Sequence, residues 1–302
     1  MWCTDDRHPH DLIRLGHIDS IVREAIQGGL DPLVAIQMAT LNPAEYFRIP
    51  DVGAVAPGRR ADLVVFSDLN SLQVEDVYSF GRLVASSGKV VPEIGKPTSV
   101  HVPRSMNVDF SSLDFSVPVQ EGRLRVIQIV TRQRLTKPAV SDGRAVADTG
   151  RDILKMAVVE RHTGSGNIGL GFVNGFGLKR GALASSVAHD SHNIIVVGTN
   201  DADMKAAVVA VVEMGGGLAA VSETALRALL PLPIAGLMTD TPLTRIRDEL
   251  DRLMTAAKEM GVTIDDPFMA LSFLALPVIP ELKLTDEGLV DVGKFEIVPL
   301  FE

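Results

Sequence analysis

Apolar positions recur at helical spacing near the start of the chain and at strand spacing soon after. Ile13, Ile18, Ile21, Val22 and Ile26 predict a helix over residues 11–27, closed by Gly28-Gly29. Asp31-Pro32 opens a second helix carrying Leu33, Ile36, Met38 and Leu41, which runs to the break at Asn42-Pro43, with residues 44–47 as a further turn. Two consecutive helices need a covering layer. Without one, Ile18, Ile21, Val22, Leu33 and Ile36 are expected to face solvent and drive association. From residue 51 the period shortens. Residues 63–66 and 74–78 predict strands, and residues 82–85 with 89–91 predict a hairpin around Ser86-Ser87-Gly88. Residues 92–103 hold several breakers and no period, and predict a linker.

The second half reads as a separate folding unit. Residues 124–135 alternate like a strand, and 154–159 predict another. Residues 167–176, with Gly169, Gly171 and Gly175, predict a bulged strand and turn; no helix or downstream acid supports a dinucleotide fingerprint. Residues 194–198 form a compact buried strand. Asp201 caps a helix through Val212, which Gly215-Gly216-Gly217 stops, and residues 218–221 return as a strand. Residues 244–260 are an amphipathic helix, 266–274 a shorter apolar one, and 293–300 a final strand. Strands and helices mingle without strict alternation, which predicts an α+β domain.

The first residues add candidate chemistry. A small apolar run ends in Thr4-Asp5-Asp6, and Arg7-His8-Pro9-His10 opens a loop. An acid where a buried strand gives way to a loop is where barrel enzymes keep their chemistry. A capping or turn aspartate is the plainer alternative.

Composition narrows the classes. A chain of 302 residues supports one large or two ordinary domains, and 46% hydrophobic with 22% charged residues is a globular balance. The net charge of −9 argues against a nucleic-acid backbone as partner. The single cysteine, Cys3, cannot form an internal disulfide, so a reducing cytoplasm is the natural setting. No signal-peptide pattern is visible, and the longest apolar stretches are too short to span a bilayer, so a soluble protein with no membrane partner is expected.

Five segments carry a specific resemblance. ATLNPAEYF (39–47) and VGAVAPGRRADLVVF (52–66) are similar to the closing segment of amidohydrolase-superfamily enzymes. CTDDRHP (3–9), GHIDSIVREAI (16–26) and SSVAHDSHNIIVVGTND (185–201) narrow it to the adenine deaminase branch. The resemblance covers essentially the whole chain, but only the C-terminal half of the family's usual polypeptide. It implies an α/β and α+β architecture in three parts. Residues 1–50 would be the last strand and helices of a metal-dependent (β/α)8 TIM barrel, 51–95 part of a small β-sandwich, and 105–302 a C-terminal α+β domain.

The resemblance also implies adenine as substrate, hydrolysed to hypoxanthine and ammonia, and a divalent metal pair (Mn, Fe or Zn) held mostly by residues absent from this chain. The net charge is compatible with a free base, which carries no phosphate. Asp5 matches the eighth-strand metal ligand and would shuttle the proton from water to the leaving nitrogen. Arg7 and His8 follow as groups at the pocket rim, whereas His10 reads as a loop histidine and His17 as a surface or packing residue. Asp62 falls in the sandwich and reads as structural. His189, Asp190 and His192 could grip the base over the barrel mouth, bind a metal, or simply fix the start of a strand. The expected partners are further copies of the chain or a separate N-terminal half. A non-catalytic assembly module, a degenerate remnant, and another cyclic-amide amidohydrolase are the alternatives.

Overall fold

A single glycine divides the first predicted helix. Gly16 has a φ of 105°, and a Cβ there would lie 2.7 Å from the Asp19 carboxylate. The chain therefore turns between α1 (Pro9–Arg14) and α2 (Ile18–Gln27). Asp31 caps α3 (Pro32–Ala39) by accepting from the Leu33 and Val34 amides, and a break at Thr40 separates it from α4 (Leu41–Tyr46). The two predicted strands and the predicted hairpin then appear as an antiparallel sheet ordered β1 (Leu63–Phe66), β2 (Val74–Ser79), β3 (Arg82–Ser86), β4 (Lys89–Val90). No strand forms at residues 1–4, against expectation. Trp2 docks this segment on α3 instead, its amide donating to Met38 O (3.0 Å) and its indole to Ala35 O (2.9 Å).

These elements belong to the first of two compact units in a computed structural model, Met1–Val100 and His101–Glu302. The structure describes residues 1–91, 103–129 and 139–302, with the backbone alone of 132–136. The linker expected over 92–103 lies outside the described residues except at Pro103. The first unit has a small core of Val22, Ala35 and Leu72, with Trp2, Ile18 and Ile36 packed around it. Of the helix residues expected to face solvent, Leu33 does; Val22 is buried, and Ile18, Ile21 and Ile36 are half-buried because α2 and α3 cover each other.

The second unit is built on one eight-stranded sheet. In chain order its elements are β5 (Leu124–Gln128), β6 (Arg132–Thr136), the small hairpin β7 (Ala139–Ser141) and β8 (Arg144–Val146), β9 (Ile153–Val159), β10 (Ile168–Asn174), β11 (Ala182–Ser185), β12 (Ile194–Gly198), α5 (Asp201–Glu213), β13 (Gly217–Ser222) and β14 (Ala225–Pro231). Next come α6 (Leu243–Glu259), α7 (Pro267–Leu274) and a three-stranded sheet of β15 (Leu282–Thr285), β16 (Gly288–Asp291) and β17 (Glu296–Val298). The main sheet runs β14-β13-β11-β12-β9-β10-β5-β6, antiparallel except for the β10–β5 pair. Residues 124–135 are thus two paired strands rather than one.

Alternation along the central strands sorts two cores onto opposite faces. Ala157, Val159, Ile194 and Val196 pack under α5, whose Met204, Ala207, Val208 and Val211 face them. Met156, Val158, Ile195 and Val197 face the other way, against α6, α7 and the leucines of β15. Because both faces are covered, every residue of β9 and β12 is buried. The helix expected to be capped by Asp201 is capped by Asn200, whose side chain accepts from the Asp203 amide. Asp201 pairs instead with buried Lys155, at 2.5 Å.

Gly169 and Gly171 lie in a regular strand with unbroken pairing to β9, not in a bulge. Their lack of side chains makes a flat floor for the β15–β16 hairpin. A Cβ on Gly169 would sit 1.8 Å from Thr285 O, and one on Gly171 3.3 Å from Leu284.

Candidate functional site

Two segments carry the candidate residues singled out from sequence, one in each unit. In the first, Asp5 is exposed and adopts a left-handed φ of 51°. Arg7 donates from Nη1 to Gly16 O (3.2 Å), which ties the loop to the α1–α2 turn. His8 precedes α1 without a side-chain capping bond, and its ring stacks on His10 with centroids 5.5 Å apart. His10, expected in a loop, lies in the first turn of α1 instead, 3.3 Å from the Asp11 carboxylate, and its Nδ1 is buried with no partner among the described residues. His17, read from sequence as a surface or packing residue, has its Nε2 3.4 Å from Thr4 Oγ1, one residue from Asp5. Asp62 caps its own sheet by accepting from the Phe80 amide and pairing with Arg60, which holds its carboxyl below the usual range. Its structural reading agrees with that geometry.

In the second unit, residues 186–193 join β11 to β12, and other elements hold the loop's backbone. The His189 amide donates to Ser272 O (3.2 Å) on α7, and the His192 amide to Ala188 O (2.7 Å). The His162 ring meets Ser191 O at 2.7 Å, and Asn193 donates to Asp286 on the β15–β16 turn (2.9 Å). Arg161 donates from Nε to His192 O. The loop's chemical side chains project from this frame. His189 and His192 are half-buried, with ring centroids 5.7 Å apart and planes at 75°. Phe273 lies 5.2 Å from the His189 ring, making an aromatic corner of three side chains. Asp190 is exposed beside it, on the wall of a cleft of about 280 Å³ shared with Pro277, Val278, Asp286 and Glu287.

Electrostatics differentiate these groups. Burial lowers the His192 pKa below its usual 6.5, the charges of His189 and Arg161 push it further down, and Asp190 partly opposes them. At neutral pH His192 is a neutral imidazole, with one donor and one acceptor nitrogen. Glu160, at the end of β9, accepts from the amides of His162, Thr163 and Ser165 and from two hydroxyls; these bonds outweigh its burial and hold it at about 2. It locks the turn that carries His162.

Arg161, His162, Asn193 and Phe273 were missed from sequence. The signal available was the charged triplet Glu160-Arg161-His162 directly after seven buried strand residues. Among the described residues no group of three or more His, Cys, Asp or Glu side chains is placed to hold a metal ion. Asp5 offers one carboxylate, which does not by itself fit a metal pair.

Residues 128–296 match the model of the adenine deaminase C-terminal domain. The chain belongs to that family. Residues 1–91 match the amidohydrolase family. The whole chain is 57% identical to an adenine deaminase of Desulfatibacillum aliphaticivorans, covering 54% of that protein. It is 48% identical to one from Methanothrix thermoacetophila over all of this chain and 53% of that protein. With adenine deaminase 2 of Carboxydothermus hydrogenoformans it shares 46% over 99% of this chain and 54% of that protein. The chain spans about half the length of the curated relatives it matches. No described helix is long and apolar enough to cross a membrane.

Proposed function

We propose that this chain is the C-terminal part of a metal-dependent adenine deaminase, which converts adenine and water to hypoxanthine and ammonia. The observation that carries the reading is 57% identity to a protein of that name along the entire chain, through both candidate loops. In this reading residues 1–50 complete a barrel and 51–95 complete a sandwich. Residues 105–302 form the appended domain.

A divalent metal pair (Mn, Fe or Zn) supplies activated water to such a reaction. The residues described here supply other parts. Asp5, solvent-exposed at a loop, is free to contribute a carboxylate and to carry a proton towards the departing nitrogen. Arg7 and His8 border it. His189, Asp190 and His192 recognise the base. Adenine presents ring acceptors and an amino donor, and a neutral imidazole beside a carboxylate offers both complements. Further copies of the chain or a separate N-terminal polypeptide are its proposed partners.

The test is His192→Ala in the chain assembled with the N-terminal part of a relative. The expected result is a fall in kcat/KM for adenine of roughly ten-fold or more with metal content unchanged. Normal activity in a less stable protein would mean that the loop is only structural.

A further inference from the structure

Among the described residues, the largest fully buried side chain is a cation with no carboxylate within hydrogen-bonding reach. Arg161 is 1% exposed, and its guanidinium donates to three separate segments. Nε bonds His192 O, Nη1 bonds both the carbonyl and the hydroxyl of Ser105 (2.9 and 3.1 Å), and Nη2 bonds Ala235 O (3.1 Å). Every acceptor is neutral. Burial pulls the Arg161 pKa down, and only the neighbouring Glu160 opposes it. A guanidinium remains charged in proteins even so.

The surroundings are shaped to this group. Gly236 has a φ of 74°, and a Cβ there would lie 3.1 Å from the guanidinium carbon and 2.5 Å from Met106 Cε. Gly216 packs against Gly236 so closely that its own Cβ would be 2.3 Å from the Gly236 Cα. An apolar side chain would fill this space at lower electrostatic cost, because burying a lone charge opposes folding. What an apolar residue lacks is the planar fork, which fixes the directions of several carbonyls at once.

One of those carbonyls belongs to His192, which has a left-handed φ of 52° that a histidine seldom adopts. We propose that Arg161 is the positioning residue of the base-recognition loop: by gripping His192 O it fixes the backbone from which His189 and His192 project beside Phe273, so that the corner is preformed for a planar heteroaromatic ring. This rests on the proposed role of the loop in adenine recognition. The buried charge has a second effect. The charged groups acting on the His192 ring are His189 and Asp190 from its own loop and Arg161 from the end of β9; Phe273 of α7 lies against the His189 ring, and the β15–β16 turn reaches Asn193 through Asp286. Arg161 therefore favours the neutral imidazole while holding its backbone.

The experiment follows the imidazole and amide signals of the 302-residue chain by NMR, with His192→Gln used to assign the His192 ring. In the native chain His192 is expected to titrate below 6.5 and its amide to be protected from exchange. Arg161→Lys keeps the charge and loses the fork. It should leave the titration low while speeding exchange of the His192 amide roughly ten-fold or more. Arg161→Met should raise the titration point as well. A native His192 titrating at or above the ordinary value, or unchanged His192 exchange in Arg161→Lys, would overturn the proposal even if Arg161→Met does not fold. Neither readout requires adenine. If both hold while His192→Ala leaves deamination untouched, the clamp stands and the substrate role fails.

Discussion

Glu160 and His192 set how the second unit responds to acid. The Glu160 carboxyl titrates at about 2 when folded and near 4.5 when unfolded, so the unfolded chain binds the proton first. The stability it contributes is present above about 4.5 and is lost as pH falls towards 2. His192 acts in a higher window. Its lowered pKa makes its contribution complete above 6.5 and diminishing as pH falls below that. Glu160→Gln turns an amide towards three backbone N–H groups and should cost about 2–3 kcal/mol at pH 7 by urea unfolding. At pH 3 the deficit should be smaller. An equal deficit at both pH values would show that the carboxylate's charge is not the source. That His189, Asp190 and His192 belong to one candidate cluster was legible in sequence, because they lie within four residues of each other. Arg161 was not, since a charged triplet at a strand end reads as an ordinary exposed turn.

At the scale of elements, apolar periodicity located α6, α7, β9, β12 and β13 well, because each presents a long or fully buried apolar run. It failed where one residue decides the outcome. Gly16 splits a continuous helical pattern into α1 and α2, and residues 1–4 have strand-like composition but no pairing neighbour among the described residues. β11 escaped notice because Ala182, Ala184 and Ser185 carry little hydrophobic signal, although small residues are what the close approach of α5 requires. The glycines of β10 are a similar case, since the reason for them lies in a hairpin more than a hundred residues away. Gly169→Ala should lose about 3 kcal/mol in urea unfolding, because its Cβ would overlap Thr285 O. Gly171→Ala meets only the flexible tip of Leu284 and should lose less than about 1 kcal/mol. The reverse ranking would mean that the hairpin does not rest on this strand.

For the whole molecule, the two units differ in how far they satisfy themselves. The second encloses three apolar clusters on a sheet covered on both faces. The first has one small cluster and leaves Leu33, Tyr46, Phe47, Ile49, Val55, Val64 and Val65 exposed. Several of these line an open trough of about 670 Å³ beside β1, whose outer edge has no partner strand among the described residues. An apolar trough beside an open strand edge suits association with further polypeptide. Such association is also what the proposed function requires, because no group of three or more His, Cys, Asp or Glu side chains among the described residues is placed to hold a metal ion. The most direct test mixes the 302-residue chain with the N-terminal part of the Desulfatibacillum relative and Mn²⁺, and measures ammonia released from adenine. No release is expected from either polypeptide alone, release from the two together, and its loss on Asp5→Asn. Release by the 302-residue chain alone, or activity of the pair that survives Asp5→Asn, would contradict the proposed function.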